Sequence, residues 1–362
     1  MKMQSWIEKL AAIAALFAFL VLAGPLRGQQ TVTYTVTDLG TLGGSSSGAY
    51  AMNEAGKVVG FAETSNGGAQ AFLWQPGTGM QGLGTLGGND GVALAINQRG
   101  DVAGWDTLTP GGPPPPPDSS CSVRCIAFLW TQTGGMVALG TLGGTYSVAF
   151  GINDRGDVVG ESDNANGQIR GFHWKNGSMS ELPTLPGGTI SAAFDINNEG
   201  TIAGYSDRSD GSFHAVLWNR NGQIVDLGTL PGGGVSVAIA IDELGIVTGY
   251  SSTPSSVGHA FRWTKPAGMV DLGLLPNSVQ SFGSAVNELG GIAGASSPDP
   301  NDAFTVGTPV IWAGQNHMIA LPVLAGSNGG AAYAINTHGN AAGQVWFQAG
   351  GGPTRAVLFQ RQ

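Results

Sequence analysis

Short apolar runs alternate with polar, glycine-containing segments along most of the chain, and the fifth copy of this pattern shows what one unit contains. Small or β-branched apolar runs at 235–241 and 246–250 flank the turn Asp242–Gly245. An aromatic run follows at 259–263, and another apolar run at 269–275 comes after a second turn. Because none of these runs has a helical apolar period, the pattern predicts four short antiparallel strands.

This unit occurs seven times, at intervals of 43 to 56 residues between equivalent leucines. A period of about 40–50 residues with four strands per unit is typical of propeller blades, which stack because one meander cannot bury both faces. The sequence therefore predicts an all-β, seven-bladed β-propeller with four antiparallel strands per blade. The equivalent leucines are Leu39, Leu83, Leu139, Leu182, Leu227, Leu272 and Leu321.

Each unit also contains the turn Asn-x-x-Gly-x-x-x-Gly. The asparagine can start the turn by bonding nearby backbone, and the first glycine can adopt a positive φ. The second glycine falls inside a strand, where it marks a bulge or a close approach of two backbones. Four residues before the asparagine stands only alanine or glycine, which predicts the innermost strand. The turn begins at Asn53, Asn97, Asn153, Asn197, Asp242, Asn287 and Asn336.

The third strand of six units ends in tryptophan, and that of the seventh ends in Phe359. Two residues earlier stands phenylalanine or valine, on the same face of the strand. We interpret these pairs as the core between blades, since buried aromatic side chains dominate packing. An aromatic ligand cage is the alternative interpretation.

The two ends of the repeat array are offset by one strand. Residues 31–38 match a fourth strand without the first three, whereas the unit that begins at Ala331 lacks its fourth strand. In an open stack both defects would leave unpaired edges. We therefore expect residues 31–38 to complete the seventh blade and close the ring.

The segment before the repeats predicts export. Two lysines precede fourteen apolar residues at 10–23, a run that is too short for a membrane span and suits a signal peptide. An uncleaved membrane anchor is the alternative. We predict a signal peptide at 1–23, a short linker at 24–30 and a single propeller at 31–362, located outside the cell or in the periplasm.

Two polar insertions lengthen individual units. Residues 106–122 include five consecutive prolines, which predict an extended loop between the second and third strands of its blade. This loop is either a tolerated surface insertion or a docking segment. A smaller insertion spans 296–308. Cys121 and Cys125 are the chain's two cysteines, and in an oxidising compartment we predict a disulfide between them.

Charge and motifs narrow the function classes. The net charge is −9 and no basic patch occurs, so we expect no nucleic-acid partner. Gly77–Gly82 matches G-x-G-x-x-G, but no helix follows, and two cysteines without further ligands do not predict a zinc site. We predict no cofactor, no metal, no assignable catalytic residue, no membrane insertion after signal cleavage, and a monomer.

Two repeat-aligned positions vary in a polar way and are candidates for ligand contact. Four residues before the tryptophan position stand Arg170, His214, His259 and Arg355, which a ring would place on one belt. Two residues before the turn asparagine, Asp195 is the one charged residue. Solvated strand edges and a lone carboxylate facing channel water are the alternatives. A catalytic pair would need a second carboxylate within about 5–10 Å of Asp195.

The repeated DLGTLGG segment, the A-x-x-I-N-x-x-G-x-x-x-G block and the closing motif at His259–Trp263 resemble bacterial extracellular HAF-repeat proteins, over roughly residues 38–360. The resemblance implies export and repeats and carries over no catalytic residue. The sequence favours a non-enzymatic scaffold that binds an extracellular glycan or protein at one face. The alternatives are a hydrolase or lyase at the central mouth, using Asp195 and His214, and a structural envelope or matrix protein.

Overall fold

The computed structural model describes residues 32–108, 125–301, 306–314, 317–349 and 352–362. Within these ranges the chain forms 28 strands, arranged as seven four-stranded antiparallel sheets. Each sheet is one blade, and the blades form a ring. The predicted seven-bladed β-propeller is confirmed.

Strand β1 (Tyr34–Asp38) precedes the first blade in the chain. The first two blades contain β2 (Gly43–Met52), β3 (Val58–Thr64), β4 (Ala69–Gln75) and β5 (Gly79–Gly82), then β6 (Gly91–Ile96), β7 (Val102–Thr107), β8 (Cys125–Thr131) and β9 (Gly135–Gly140). The third and fourth contain β10 (Gly143–Ile152), β11 (Val158–Asn164), β12 (Ile169–Lys175) and β13 (Ser178–Glu181), then β14 (Ser191–Ile196), β15 (Ile202–Asp207), β16 (Phe213–Trp218) and β17 (Ile224–Asp226). The fifth and sixth contain β18 (Ser236–Ile241), β19 (Val247–Ser252), β20 (Gly258–Thr264) and β21 (Gly268–Asp271), then β22 (Gln280–Val286), β23 (Gly291–Ser297), β24 (Thr308–Ala313) and β25 (Met318–Ala320). The seventh contains β26 (Gly329–Ile335), β27 (Ala341–Trp346) and β28 (Thr354–Arg361).

The seventh blade is completed by the first strand of the chain, as the offset of the repeat ends predicts. Its strand order is β1-β28-β27-β26, and β1 pairs antiparallel with β28 from Tyr34 opposite Arg361 to Asp38 opposite Val357. The backbone N–H of Leu39 then donates to the carbonyl of Ala356 at 2.9 Å. The two ends of the array therefore share one sheet, and no blade has a missing strand.

The repeated small residues let the two innermost strands of each blade approach closely. At the second glycine of the turn motif, an added Cβ would lie 1.8–2.0 Å from a carbonyl oxygen of the first strand in every blade. The first glycine has a positive φ in every blade, for example 78° at Gly245. Both roles predicted for these glycines are confirmed.

Every first strand also carries a β-bulge at the same place. The register against the second strand shifts between the small residue four positions before the turn asparagine and the residue two positions before it. The residue between them is skipped in this register, and a bulge re-aims such a side chain. The bulged residues are Tyr50, Leu94, Phe150, Phe194, Ile239, Ser284 and Tyr333.

The hydrophobic core lies between neighbouring blades. Phe72 of the first blade is fully buried and packs in one cluster with Leu358 and Ala342 of the seventh. The phenylalanine or valine two residues before the tryptophan position is fully buried in every blade, which confirms the core interpretation. These buried residues are Phe72, Phe128, Phe172, Val216, Phe261, Val310 and Val357.

Hydrogen bonds of polar side chains link neighbouring blades. The hydroxyl of Ser147 in the third blade accepts the N–H of Ala127 in the second blade at 2.9 Å and donates to the carbonyl of Gly140 at 2.7 Å. Ser47, Ser236 and Ser281 repeat both bonds at other junctions.

A second set of hydrogen bonds between blades, here called the asparagine girdle, runs around one face of the ring. The side-chain amides of five turn asparagines each donate to the carbonyl of the equivalent residue in the next blade. This bond is present from Asn53, Asn97, Asn153, Asn197 and Asn287, at 2.8 to 3.2 Å. Asp242 interrupts the girdle, because a carboxylate cannot donate, and its Oδ2 is buried without a hydrogen-bond partner.

Three sequence predictions of loop boundaries are wrong. Strand β7 continues through Asp106 and Thr107, so the first insertion begins later than predicted, and Asp106 is fully buried. Strand β23 likewise includes Ser296 and Ser297, which are buried. In both strands the buried polar residues belong to the strand because their side chains face inward. Strand β21 ends at Asp271 rather than at residue 275, because the chain leaves the sheet at Gly273, whose φ is 75°.

Several predictions fall on residues outside the described ranges. These are the signal peptide at 1–23, the linker at 24–30, most of the proline-rich insertion at 106–122, and Cys121. Cys125 is fully buried in β8, and the disulfide stays a prediction. In the part of the chain that the structure describes, no helix is long and apolar enough to cross a membrane.

Candidate binding site in the central channel

A cavity of about 590 Å³ lies on the axis of the ring, where the first strands of all seven blades meet. All seven bulged residues line it. Four of them are aromatic, two are aliphatic and one is Ser284. Each bulged side chain is half-buried. The channel wall is therefore built from a residue that the bulge itself turns towards the axis.

Aromatic rings meet in pairs at two places on this wall. The rings of Tyr50 and Tyr333, from the first and seventh blades, have centroids 5.5 Å apart. The rings of Phe150 and Phe194, from the third and fourth blades, have centroids 5.0 Å apart. Tilted ring pairs at such distances stabilise the packing of neighbouring blades. They also give the channel wall two aromatic patches.

A few polar groups interrupt the apolar wall. Tyr250, Gln280, Ser281 and Ser284 line the cavity at the fifth and sixth blades. Mostly apolar walls with a small number of polar groups are typical of sites that bind small organic molecules, and the volume falls in the usual range of about 300–1,000 Å³. The channel therefore has the size and chemistry of a ligand pocket.

Asp195 is the charged residue of the channel wall, where other blades have alanine or glycine. Its Oδ2 accepts the N–H of Ile241 in the fifth blade at 2.9 Å, and its Oδ1 accepts the N–H of Ile196 at 2.8 Å. Burial raises the pKa of the Asp195 carboxyl to about 6, although these two hydrogen bonds lower it. The carboxylate therefore links two blades at the channel wall.

We expect the wild type to lose stability as the pH rises, and Asp195→Ala to lack this part of the pH dependence. Since the carboxyl pKa is about 6 in the folded state against 3.8 for the free side chain, its contribution is present below pH 3.8 and lost as the pH rises through 6. Relative to the variant, the free energy of unfolding of the wild type should fall by about 2–3 kcal/mol between about pH 3.5 and about pH 7.5. Denaturant unfolding followed by tryptophan fluorescence measures this difference.

Asp210→Asn is the matched control for that measurement. Asp210 lies on the exposed turn between β15 and β16, and hydrogen bonds from Ser212 lower the pKa of its carboxyl. The Asp210 variant should therefore show no fall of this kind. A difference between the wild type and Asp195→Ala that does not change with pH would contradict the burial of an ionised carboxylate in the channel wall.

The four belt residues predicted from the sequence lie on third strands, two strands out from the axis, and each pairs with an acidic side chain on or beside the adjacent fourth strand. The contact distances are 2.9, 2.8, 2.8 and 3.4 Å in chain order. The pairs are Arg170–Glu181, His214–Asp226, His259–Asp271 and Arg355–Asp38. None of the four lines the channel cavity. Their role in binding stays a prediction.

Asp195 and His214 belong to the same blade but are held in different places. Asp195 lies opposite Ala203, which lies opposite Leu217, whereas His214 is three residues further along β16. With strands about 4.8 Å apart and about 3.3 Å per residue, the two backbones are separated by about 10 Å across the sheet and about 10 Å along it. Each side chain also has its own partners. The structure does not bring them together as an acid–base pair.

The sequence analysis missed Glu161 and the two tyrosines near it. Tyr146 donates its hydroxyl hydrogen to Oε1 of Glu161 at 2.6 Å. Glu161 follows the second-strand glycine of its blade, and it is the one charged residue at that aligned position. That contrast was visible in the sequence. The aligned residues are Phe61, Trp105, Glu161, Tyr205, Tyr250, Ala295 and Gln344.

Metal ligands do not gather at any of these places. Among the residues that the structure describes, no group of three or more histidine, cysteine, aspartate or glutamate side chains is positioned to hold a metal ion. Several acidic side chains instead accept hydrogen bonds from backbone N–H groups or pair with basic side chains, as at Asp195 and Asp226.

Solved structures share this fold at low sequence identity. A catalytically inactive virginiamycin B lyase from Staphylococcus aureus, solved with quinupristin, is 12% identical, and the match covers 90% of this chain and 99% of that chain with a TM-score of 0.55. TolB from Acinetobacter baumannii is 12% identical over 74% of this chain and 64% of that chain, with a TM-score of 0.51. No family model matches the sequence, and a comparison with curated proteins gives no match. The likeness establishes the fold, and fold alone does not define an activity.

Proposed function

We propose that this protein is an exported, non-enzymatic binding protein that receives one ring of an extracellular glycan in its central channel. The observation that carries the proposal is the set of bulged side chains, which turns four aromatic rings towards a cavity of about 590 Å³. The resemblance to HAF-repeat proteins and the apolar segment at 10–23 support export. Location outside the cell or in the periplasm, as a monomer, is part of the same proposal.

The channel favours a ligand that combines a flat apolar face with several hydroxyl groups. The ring pairs Tyr50–Tyr333 and Phe150–Phe194 offer apolar surface, and Gln280 offers amide hydrogen-bonding groups at the wall. A sugar ring has this combination of surfaces. A protein ligand would have to insert a side chain into the same channel, and it is kept as an outcome of the test.

The partners of the polar residues favour binding over catalysis. Both oxygens of Asp195 accept backbone N–H groups, and the Nδ1 atom of His214 contacts the carboxylate of Asp226 at 2.8 Å. A hydrolase or lyase needs an acid and a base within reach of one bond of the substrate. The backbones of the two candidate residues lie two strands apart, about 10 Å across the sheet and about 10 Å along it.

A glycan array with the chain that begins at residue 24 identifies the ligand, and calorimetry with a channel-filling variant tests the site. Ser284 is the small bulged residue, and tyrosine occupies the same position in two other blades. Ser284→Tyr should therefore fold normally and fill the channel. We expect it to weaken binding of the best glycan by about tenfold or more, equivalent to about 1.4 kcal/mol.

Ser178→Tyr is the matched control, because Ser178 is exposed on the outermost strand of the third blade. This variant should bind the glycan as the wild type does. Loss of binding in His214→Ala and His259→Ala, with Ser284→Tyr unaffected, would place the ligand on the belt instead. Cleavage of the glycan that stops in Asp195→Ala would show an enzyme. Absence of any glycan binding would leave a protein ligand or a structural role.

A further inference from the structure

We propose that the ring bound in the channel carries an ammonium group, which is held by Glu161 and the aromatic rings of Tyr146, Tyr205 and Phe194. This inference deepens the proposed function and rests on it for the glycan nature of the ligand, which would then be an amino sugar whose nitrogen is not acetylated. The set of four side chains is called the Glu161 subsite below.

Glu161 is a half-buried carboxylate that lacks a basic partner. The hydroxyl of Tyr146 donates to its Oε1 at 2.6 Å, and burial raises the pKa of the carboxyl. No lysine, arginine or histidine among the described residues forms an ion pair with it. Other buried carboxylates have more support: Asp157, for example, contacts Lys175 at 2.9 Å and His173 at 3.7 Å. A cationic group on the ligand would supply the positive charge that no basic side chain provides to Glu161.

Tyr205, the residue of the next blade aligned with Glu161, lies within electrostatic range of this carboxylate and belongs to a group of aromatic rings. Tyr205 of β15 lies close enough that burial and the charges of Glu161 and Tyr250 raise the pKa of its hydroxyl to about 12. The Tyr205 ring lies 5.8 Å from the ring of Phe194 and 5.4 Å from that of Phe213, centroid to centroid. Aromatic faces attract organic cations, and sites that bind ammonium groups combine such rings with a carboxylate.

The Glu161 subsite adjoins the channel at Phe194, whereas Glu161, Tyr146 and Tyr205 do not line the cavity themselves. Phe194 belongs to both, because it is the bulged residue of the fourth blade and its ring contacts Tyr205. Tyr250, which lines the cavity at the fifth blade, interacts electrostatically with Tyr205. Tyr250 stands at the position aligned with Glu161, so a ligand ring stacked against Phe194 would direct a substituent towards Glu161 at the edge of the cavity.

The first arm of the test measures the ammonium preference alone. Choline and its uncharged isostere 3,3-dimethylbutan-1-ol have the same shape, and they are titrated into the chain that begins at residue 24 by calorimetry or NMR. We expect choline to bind about tenfold more tightly than the alcohol. Glu161→Gln should remove this preference, while keeping an oxygen that accepts the Tyr146 hydroxyl and so preserving the fold.

The control variants separate the subsite from general charge and from folding. Glu199→Gln removes a carboxylate from the exposed turn between β14 and β15, and it should leave the choline preference unchanged. Tyr205→Leu should weaken choline binding and leave the alcohol nearly unaffected. Thermal unfolding of each variant checks that it folds. Equal binding of choline by the wild type and Glu161→Gln would overturn the inference and leave the Tyr146–Glu161 contact as a packing hydrogen bond.

The second arm tests whether the ammonium group belongs to an amino sugar. It also tests the Glu161 subsite separately from the proposed glycan binding in the channel. Glucosamine oligomers should bind more tightly than N-acetylglucosamine oligomers, and Ser284→Tyr should weaken both. Choline binding that depends on Glu161, with no binding of either sugar, would support the subsite and contradict the glycan-binding function. Sugar binding that depends on the channel but ignores acetylation and Glu161→Gln would overturn the subsite alone.

Discussion

A chain that begins at residue 39, and so lacks β1, should unfold at a temperature about 5–10 °C below that of a chain beginning at residue 32, and should self-associate. Without β1 the seventh blade has three strands, and β28 presents a free edge. Tyr34 and Val36, which pack against the cluster containing Phe359 and Val357, are also lost. Thermal unfolding by circular dichroism and size-exclusion chromatography measure both effects.

The comparison with the chain beginning at residue 32 is the internal control, because both chains lack the apolar segment at 10–23. A peptide that spans residues 32–38 should partly restore the unfolding temperature when it is added in excess. If the two chains were equally stable and equally monomeric, the pairing of β1 with β28 would contribute nothing to ring closure.

Gly249→Ala should destabilise the protein by about 4 kcal/mol or more, a size that single substitutions seldom reach. The added Cβ would lie 1.9 Å from the carbonyl oxygen of Val237 and 3.1 Å from the Cα of Ala238. Both atoms belong to the backbone of the neighbouring strand, so neither can move aside by changing a rotamer. Denaturant unfolding followed by tryptophan fluorescence gives the change in free energy.

Gly258→Ala is the matched control in the same blade. A Cβ at Gly258 would meet nothing closer than a Tyr250 ring carbon at 3.6 Å, which is an ordinary contact, and its φ is not in the left-handed region. We expect this variant to differ from the wild type by less than about 1 kcal/mol. Similar stabilities for the two variants would show that the inner strands of the blade can separate without loss.

The ring could be predicted because the evidence for it is the spacing of the repeats and the number of strands in the units at the two ends. The repeated alanine and glycine positions located the close approach of the inner strands, and the spare strand at residues 31–38 located the closure. Both features depend on backbone and size, which every copy of the repeat reports independently. Seven copies of one pattern leave few alternative folds.

The bulged residues of the channel wall could not be predicted, because a β-bulge changes which residues of a strand face the same side. Residues two and four positions before the turn asparagine were considered, for example Asp195, which lines the cavity, and Ala193. The residue between them, Phe194, lines the cavity too and was not considered. Strict alternation would assign Phe194 to the opposite face of the strand. The glycine signal allowed a bulge but did not say which residue it would turn towards the axis.

The belt could not be interpreted correctly without the register between third and fourth strands. His259 and Asp271 are twelve residues apart in the sequence, and the hairpin between them brings Nδ1 and Oδ2 to 2.8 Å. A histidine that is isolated in the sequence therefore has a partner in the structure. Glu161 is the reverse case: nothing near it in the sequence suggests a partner, and the structure supplies a tyrosine.

The border between the fifth and sixth blades lacks a hydrogen bond that five other borders have, because Asp242 replaces the turn asparagine. Its Oδ1 accepts the N–H groups of Leu244 and Ile246, so the turn itself forms as it does around asparagine elsewhere. The replacement affects the border with the sixth blade, because the carboxylate cannot donate the bond that the side-chain amide donates at five other borders. The contact between these two blades therefore depends on the other hydrogen bonds across their border, such as the one between Ser281 and Ala260.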